Sequence, residues 1–313
     1  MSTAPVAKRD ADEQRKAVSW YEASARERVR LFLDVHSFQE FIGPEKREIS
    51  PHLHIFNLPE QFDDGMIVGR GLLEGQKVFV AAQEGRFMGG AFGEVHGAKL
   101  TGLLRAVRDV PSIPLVILFD TGGVRLQEAN AGELAIAEIM LALIEARTAG
   151  AKVIGLIGGR AGCYGGGGLI AGCCSALAVS EQGRISVSGP EVIETNRGVE
   201  EFDSKDRALV WRTMGGKHRR LIGGADIFVD DTIQSFRLAA LHLIRCSSGF
   251  DSDVLESEQV RLNQRLQQFG SCADAVDIWR AAGIKDAETV PDMATDEFIA
   301  LANKIRGPRH VAR

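Results

Sequence analysis

Apolar positions along the chain fall into two rhythms. Residues 66–73 and 77–82, with LVILF at 115–119, VIGLI at 153–157 and ALAVS at 176–180, are short apolar runs rich in β-branched side chains. Such runs predict strands, and those without polar alternation predict strands buried on both faces of a sheet. ISVS at 185–188 reads as one more. Between them the spacing lengthens to that of a helix. Leu100, Leu103, Leu104 and Val107 share one face, and residues 132–148 are apolar at Leu134, Ile136, Ala137, Met140, Leu141, Leu143 and Ile144. So wide a stripe predicts burial on more than one side, in part against another subunit. Strands alternating with helices are the signature of a parallel sheet covered by helices, an α/β fold.

The flanks read differently. MSTAPVAKRDADEQRK at the N-terminus is polar and predicts flexible chain. Ala25, Val29, Phe32 and Leu33 recur at helical spacing within residues 21–34, and Ser37 with Glu40 has the spacing of a capping box opening a second helical turn. Residues 43–64, with Pro44, Pro51 and Pro59, read as irregular, and Glu74-Gly75 as the turn of a hairpin. Past Gly198, Asp203 or Ser204 can cap a helix through Trp211, residues 215–224 read as a basic loop between glycine pairs, and Thr232 caps an amphipathic helix. Weakly apolar helices follow. The expected organisation is a flexible stretch over 1–20, one domain with a helical lead-in over 21–250, and a helical extension over 251–313 packed on the domain or on a partner.

The chain holds 35 glycines, above the roughly 7 % average, and they crowd the loops that follow three of the strands. These are Gly89-Gly90, Gly122-Gly123 and the run from Gly162 to Gly168. Parallel strands point their C-terminal ends the same way, so the three loops are expected on one rim. The third is the richest: strand, glycines, then a short buried helix beginning past Gly168. It sets unpaired backbone N–H groups and the positive end of a helix dipole in one place, a seat for an oxyanion. Close packing of helix on strand is the plainer use of such glycines, but packing rarely needs four in a row. Phosphate is the commonest anion at such loops, yet no GxxxxGK[ST] occurs. The Gly166, Gly168, Ala171 spacing starts too far past Ile157 for a dinucleotide fingerprint. A developing carbonyl oxyanion remains.

Composition narrows the classes. With 313 residues, 45% hydrophobic and 25% charged, the chain is an ordinary globular protein, and a net charge of -5 argues against a general nucleic-acid binder. Five cysteines without a CxxC pair fit a reducing cytoplasm. No signal-like apolar core and no apolar run of about 18 residues occurs, so neither secretion nor a membrane is expected. His52 and His54 lack a third ligand at close spacing, and no metal is expected.

GGAFGEVHGAKL (89–100), DTGGVRLQE (120–128), GLIGGRAGCYGGGG (155–168), SGPEVIETNRG (188–198), EFDSKDRALVW (201–211) and ARERVRLFLDVHSF (25–38) resemble the motifs of acyl-CoA carboxyltransferase subunits. Within that superfamily the resemblance is to the β subunits of biotin-independent malonate decarboxylases. It implies a crotonase-like fold of repeated ββα units, one carboxyltransferase-type half, and a thioester substrate. Acetyl-CoA carboxylase β chains of bacteria begin with a four-cysteine zinc ribbon, whereas the first cysteine here is Cys163. Such enzymes pair two halves across one active site, so a homologous second subunit (γ) is implied. An acyl carrier protein and its transferase subunit are the other implied partners. No cofactor is expected to bind directly and no biotin is expected; the substrate arrives on a coenzyme-A-like phosphopantetheine arm.

The implied reaction removes CO2 from a malonyl thioester and leaves an enolate. Gly165 and Gly166 are the expected N–H donors to its oxygen, with Gly90 or Ala91 as a second contributor. Tyr164 could orient the carboxylate or give a proton, or form only an aromatic wall. Gly122, Gly123 and Arg160 are expected to meet the substrate. Lys217, Arg219 and Arg220 either hold the phosphate of the arm or form a solvated surface run. Asp120 and Arg125 are expected to fix their loop by a mutual ion pair. Two rival readings are a biotin-dependent carboxyltransferase half and a silent scaffold that only binds the carrier.

Overall fold

The computed structural model describes residues 4–52, 65–247 and 249–306. Polar as it is, the N-terminal segment is helical. Helix α1 (Ala4–Ala17) is anchored by buried Arg15, which donates from Nε to Leu31 O at 2.7 Å and from Nη2 to Leu33 O at 2.8 Å. Those carbonyls lie at the end of α2 (Ala25–Phe32), where a helix leaves acceptors unpaired and favours a cation. The flexible chain expected here is therefore a docked helix over residues 4–17. Ser37 and Glu40 form no capping box. Glu40 belongs to an edge strand, β1 (Gln39–Glu40), and the Ser37 hydroxyl donates to Asp34 O and accepts from Leu72 N–H, tying that edge to its neighbour.

Strands β2 (Met66–Leu73) and β3 (Gln76–Gln83) form the expected hairpin, its turn residues Glu74 and Gly75 at φ 50 and 77. Then follow α3 (Glu94–Asp109), β4 (Leu115–Phe119), α4 (Asn130–Thr148), β5 (Val153–Ile157), α5 (Gly166–Cys173) and β6 (Ala176–Ser180). Helices α6 (Pro190–Arg197), α7 (Arg207–Met214) and α8 (Gly216–Leu221) lead to β7 (Ile227–Val229) and α9 (Ile233–Cys246). One sheet carries the strands in order β1 to β7, antiparallel up to β3 and parallel from β3 to β7.

Alternate side chains of each strand serve two cores. Leu115, Ile117 and Phe119 join the core built with α3, α4 and α5, while Val116 and Leu118 join Trp20, α2 and α9 on the other face. With both faces covered, the apolar runs that lacked alternation are explained. The second strand of each ββα unit is reduced to single bridges beyond the sheet: Phe92 with Val124, Thr121 with Cys163, and Cys163 with Ile185. Hence the strand expected at 185–188 contributes one bridge residue, Ile185.

Asp206, rather than the expected Asp203 or Ser204, closes the start of α7 by accepting from Leu209 N–H. Thr232 caps α9 as expected. The extension forms α10 (Ser252–Phe269), α11 (Ala275–Ala281) and α12 (Thr295–Arg306). Phe298 of α12 packs edge-on against Phe228 of β7 at 4.6 Å, and Trp279 of α11 is buried in the same core. Among the described residues no helix is long and apolar enough to cross a membrane, and no three side chains are grouped to hold a metal. His54 lies outside the described residues; His52 instead meets Glu94, Nδ1 to Oε2 at 2.7 Å.

Candidate active site

Strands β3, β4 and β5 end side by side, and their glycine loops are stitched into one rim. Gly122 N–H donates to Gly89 O at 2.8 Å, Phe92 N–H to Gly123 O at 2.8 Å, and Arg125 N–H to Phe92 O at 2.9 Å. Thr121 N–H reaches Gly162 O at 2.8 Å and Tyr164 N–H returns to Thr121 O at 3.0 Å, joining the second loop to the third. The gathering expected from strand direction is present.

Helix α5 starts at Gly166, not past Gly168, so the glycines are its first turn rather than a loop before it. Gly165 precedes it at φ 57 and ψ -129, a conformation that a side chain strains, and a Cβ there would stand 3.1 Å from Gly123 Cα. A Cβ on Gly166 would meet Ile136 Cδ1 of α4 at 2.5 Å. Both glycines let α5 begin tight against its neighbours. Gly167 N–H bonds to Tyr164 O and Leu169 N–H to Gly165 O, whereas the N–H groups of Gly165 and Gly166 donate to no described residue. Two consecutive amides at the positive end of a helix are thus unpaired. Leu169 is exposed, so α5 is less buried than its composition implied.

The second contributor expected at Gly90 or Ala91 is absent. A turn of 3₁₀ helix at Met88–Gly90 folds those amides back, Gly90 N–H onto Phe87 O at 2.8 Å and Ala91 N–H onto Met88 O at 3.3 Å. The amides of Gly122 and Gly123 are also engaged, the latter by Thr121 Oγ1 at 3.2 Å, so these two glycines offer a bare floor beside Gly165 rather than donors.

Two buried ion pairs brace the rim, and neither is the expected one. Asp120 pairs with Arg28 of α2 at 2.8 Å and accepts from Ala161 N–H at 2.7 Å, which fastens the third loop to the end of β4. Arg125 pairs with Glu128 at 3.0 Å, and Glu128 accepts from Glu94 N–H at the start of α3, a negative charge where the dipole favours one. Arg28 is 92 positions from Asp120, so no local motif announced it.

Residues 215–224 are not a loop either. Helix α8 buries Lys217, His218 and Arg220 under the C-terminal extension. Lys217 Nζ donates to Pro291 O and Met293 O, both at 2.7 Å, and faces Glu181 Oε1 at 3.1 Å. An ammonium has three donors, so none remains for a carrier phosphate. Arg220 donates to Asn303 Oδ1. The carrier-binding expectation therefore fails for these two: they hold the extension down. Arg160 turns toward the N-terminal segment, paired with Glu22 and over the Tyr21 ring at 5.3 Å. The side chains of Arg219 and His218 form no hydrogen bond or ion pair with a described residue.

Tyr164 is buried against Phe202, Val210 and Met214. Burial pushes its pKa up, Arg184 opposing and Glu191 adding, so it keeps its proton at neutral pH. Arg184 escaped notice in the sequence; it lies 5.9 Å from the Tyr164 ring and 4.6 Å over Trp211.

Residues 22–233 match the carboxyl transferase domain family. A malonyl-S-ACP:biotin-protein carboxyltransferase of Malonomonas rubra is 38% identical over 92% of this chain and 96% of its own length. Among solved structures, a Pseudomonas malonate decarboxylase hetero-tetramer in complex with malonate superposes with a TM-score of 0.71 at 36% identity, covering 88% of this chain and 96% of that one. A Pseudomonas malonate decarboxylase hetero-dimer gives 0.62 at 35% identity over 78% and 96%.

Proposed function

The chain belongs to the carboxyl transferase domain family, and from that premise we propose that it is the thioester-binding catalytic subunit of a malonate decarboxylase. In this reading it releases CO2 from a malonyl group carried on the phosphopantetheine arm of an acyl carrier protein. The carrying observation is the pair of unpaired amides at Gly165 and Gly166. Breaking the bond to the carboxyl carbon leaves its electron pair in an enolate, whose charge gathers on the thioester oxygen. Two fixed N–H donors on that oxygen lower the barrier, each by roughly 3–4 kcal/mol where such donors have been removed elsewhere, and the α5 dipole acts in the same direction. No general base is needed, which suits a loop with no carboxylate or imidazole on it. Gly122 and Gly123 would form the floor under the substrate.

Likeness to hetero-oligomeric relatives supports a homologous γ subunit completing the site, with the carrier and its transferase subunit as further partners. Five free thiols fit a reducing cytoplasm. The name of the Malonomonas relative favours a second reading, in which the carboxyl group passes to a biotin protein instead of leaving as CO2.

The test uses the assembled complex and a malonyl thioester, with and without avidin. CO2 release that avidin does not touch is expected; turnover abolished by avidin would establish the biotin reading. Gly165→Ala should lower kcat about 100-fold or more, by displacing the amides. Gly150→Ala, also at positive φ but with open space around it, is the control for backbone strain. If both variants turn over alike in intact complexes, the amides are not the seat of the chemistry and only the scaffold reading survives.

A further inference from the structure

The loop that ends in the unpaired amides is held at one point by Asp120, through Ala161 N–H. Arg184, in the segment that follows β6, holds it at several more. Its main-chain carbonyl accepts from Cys163 N–H at 2.8 Å. Its side chain reaches back over the same loop, Nη2 donating to Gly159 O at 3.4 Å and to Arg160 O, and Nε to Gln182 O at 3.3 Å. The guanidinium is also the side-chain hydrogen-bond partner of the Tyr164 hydroxyl. The packing here is close: a Cβ on Gly162, which has φ 78, would stand 2.9 Å from Tyr164 Cε2 and 3.4 Å from Arg184 Cβ. One residue thus grips both ends of the run from Gly159 to Tyr164.

That run leads directly into Gly165, and it includes Gly159 and Gly162, where the backbone has the most freedom to move. Donors aimed at a developing oxyanion lower the barrier because they are fixed before the reaction starts, and a misplacement of about 1 Å can cost roughly 100-fold. Something must therefore stiffen the approach to Gly165. A guanidinium is suited to this, since its planar fork of donors can serve two carbonyls and a hydroxyl together, whereas an ammonium is a point charge. The Trp211 ring, 4.6 Å from the guanidinium, supports the fork. Arg207 also lies over Trp211, at 5.1 Å, but is exposed and makes no hydrogen bond to the loop.

We propose that Arg184 is a positioning residue for the reaction: through the carbonyls of Gly159 and Arg160 and through Tyr164 it fixes the Gly165 and Gly166 amides on the thioester oxygen, without touching the substrate. This rests on the reading of those amides as the oxyanion seat. The main chain of Arg184 keeps its bond to Cys163 whatever side chain it carries, so the side chain can be changed while the loop stays tied to this segment.

Steady-state kinetics of the assembled complex on the malonyl thioester test this by the split between kcat and KM. Arg184→Gln should lower kcat about tenfold or more and change KM by less than about threefold, because displaced donors fail the transition state more than the bound substrate. Arg184→Lys, which keeps the charge but loses the fork, should lose about threefold or more, and methylguanidinium added to Arg184→Ala should restore part of kcat. Arg207→Gln, which takes the other cation from Trp211, should turn over like the wild type. Backbone hydrogen exchange over residues 159–166 should quicken in Arg184→Gln while that of α4 stays the same. Should Arg184→Gln fail to assemble, Arg184→Lys carries both measurements. A raised KM with kcat kept would mean that Arg184 meets the substrate itself, and would overturn the positioning role. Wild-type kcat in the Arg184 variants, where Gly165→Ala does lower it, would overturn that role while leaving the oxyanion seat intact. Gly165→Ala as active as its own control would instead reject the seat, and the role of Arg184 with it.

Discussion

His218 lies under the extension with its ring 6.1 Å from that of Trp279, and burial, followed by the charges of Arg219 and Arg265, lowers its pKa to about 3 against a weaker opposing pull from Asp274. A folded value below the unfolded one means that the unfolded chain takes the proton first. The stability contributed by neutral His218 is therefore full above the unfolded pKa near 6.5 and is lost as pH falls toward 3. Between pH 8 and pH 5 the loss from this residue comes to about 2 kcal/mol. Urea unfolding across that range should show it, and His218→Gln should flatten the slope by that amount. An unchanged slope would assign the acid sensitivity to His96, which burial displaces in the same direction. At this scale the sequence showed which residues were charged but not whom they met. Asp120 and Arg125 were conspicuous at a strand end, yet each found a different partner, Arg28 and Glu128, because the fold brings α2 under β4 and turns Arg125 back on its own loop.

Two helices of the rim begin alike. Ala129 precedes α4 at φ 48 and ψ -132, and Gly165 precedes α5 at φ 57 and ψ -129. The same sharp entry serves both, but one is made by a residue with a Cβ, at a cost of order 1–3 kcal/mol. Ala129→Gly relieves that strain and adds some backbone freedom to the unfolded chain, so a net gain of about 1 kcal/mol in chemical denaturation is expected. A loss would mean that the Ala129 methyl contributes packing that outweighs the strain. Nothing in the sequence marked Ala129, since alanine is an ordinary helix residue. Strands, by contrast, were legible at 115–119, 153–157 and 176–180, because burial on both faces leaves an uninterrupted apolar run. The basic segment was misread for the converse reason. Its acceptors are supplied by Pro291, Met293 and Asn303, 74, 76 and 83 positions away, and a local pattern cannot reveal them.

At the scale of the whole molecule, α4 and its neighbours leave several large apolar side chains in solvent. Leu134 and Leu141, two turns apart on α4, are 64% and 56% exposed, and Leu169 on α5 is also exposed. Helix α4 packs on α5, and Leu126 on the approach to α4 is 83% exposed. The opposite face of α4, with Ile136, Ile139 and Leu143, is buried in the core, so this helix satisfies one apolar side within the chain and leaves the other uncovered. That is the wide stripe seen in the sequence, and patches of this kind mark interfaces. The occupant expected is the homologous second subunit. Burying a leucine contributes about 1.5–3 kcal/mol, so Leu134→Glu with Leu141→Glu should weaken hetero-oligomer assembly 100-fold or more. The fold of the chain itself should be preserved, because both side chains are already in water there. Analytical ultracentrifugation of the mixed subunits, with thermal unfolding of the variant alone, separates the two effects. Full assembly by the double variant would place the partner on another face and leave the exposed side of α4 without a role.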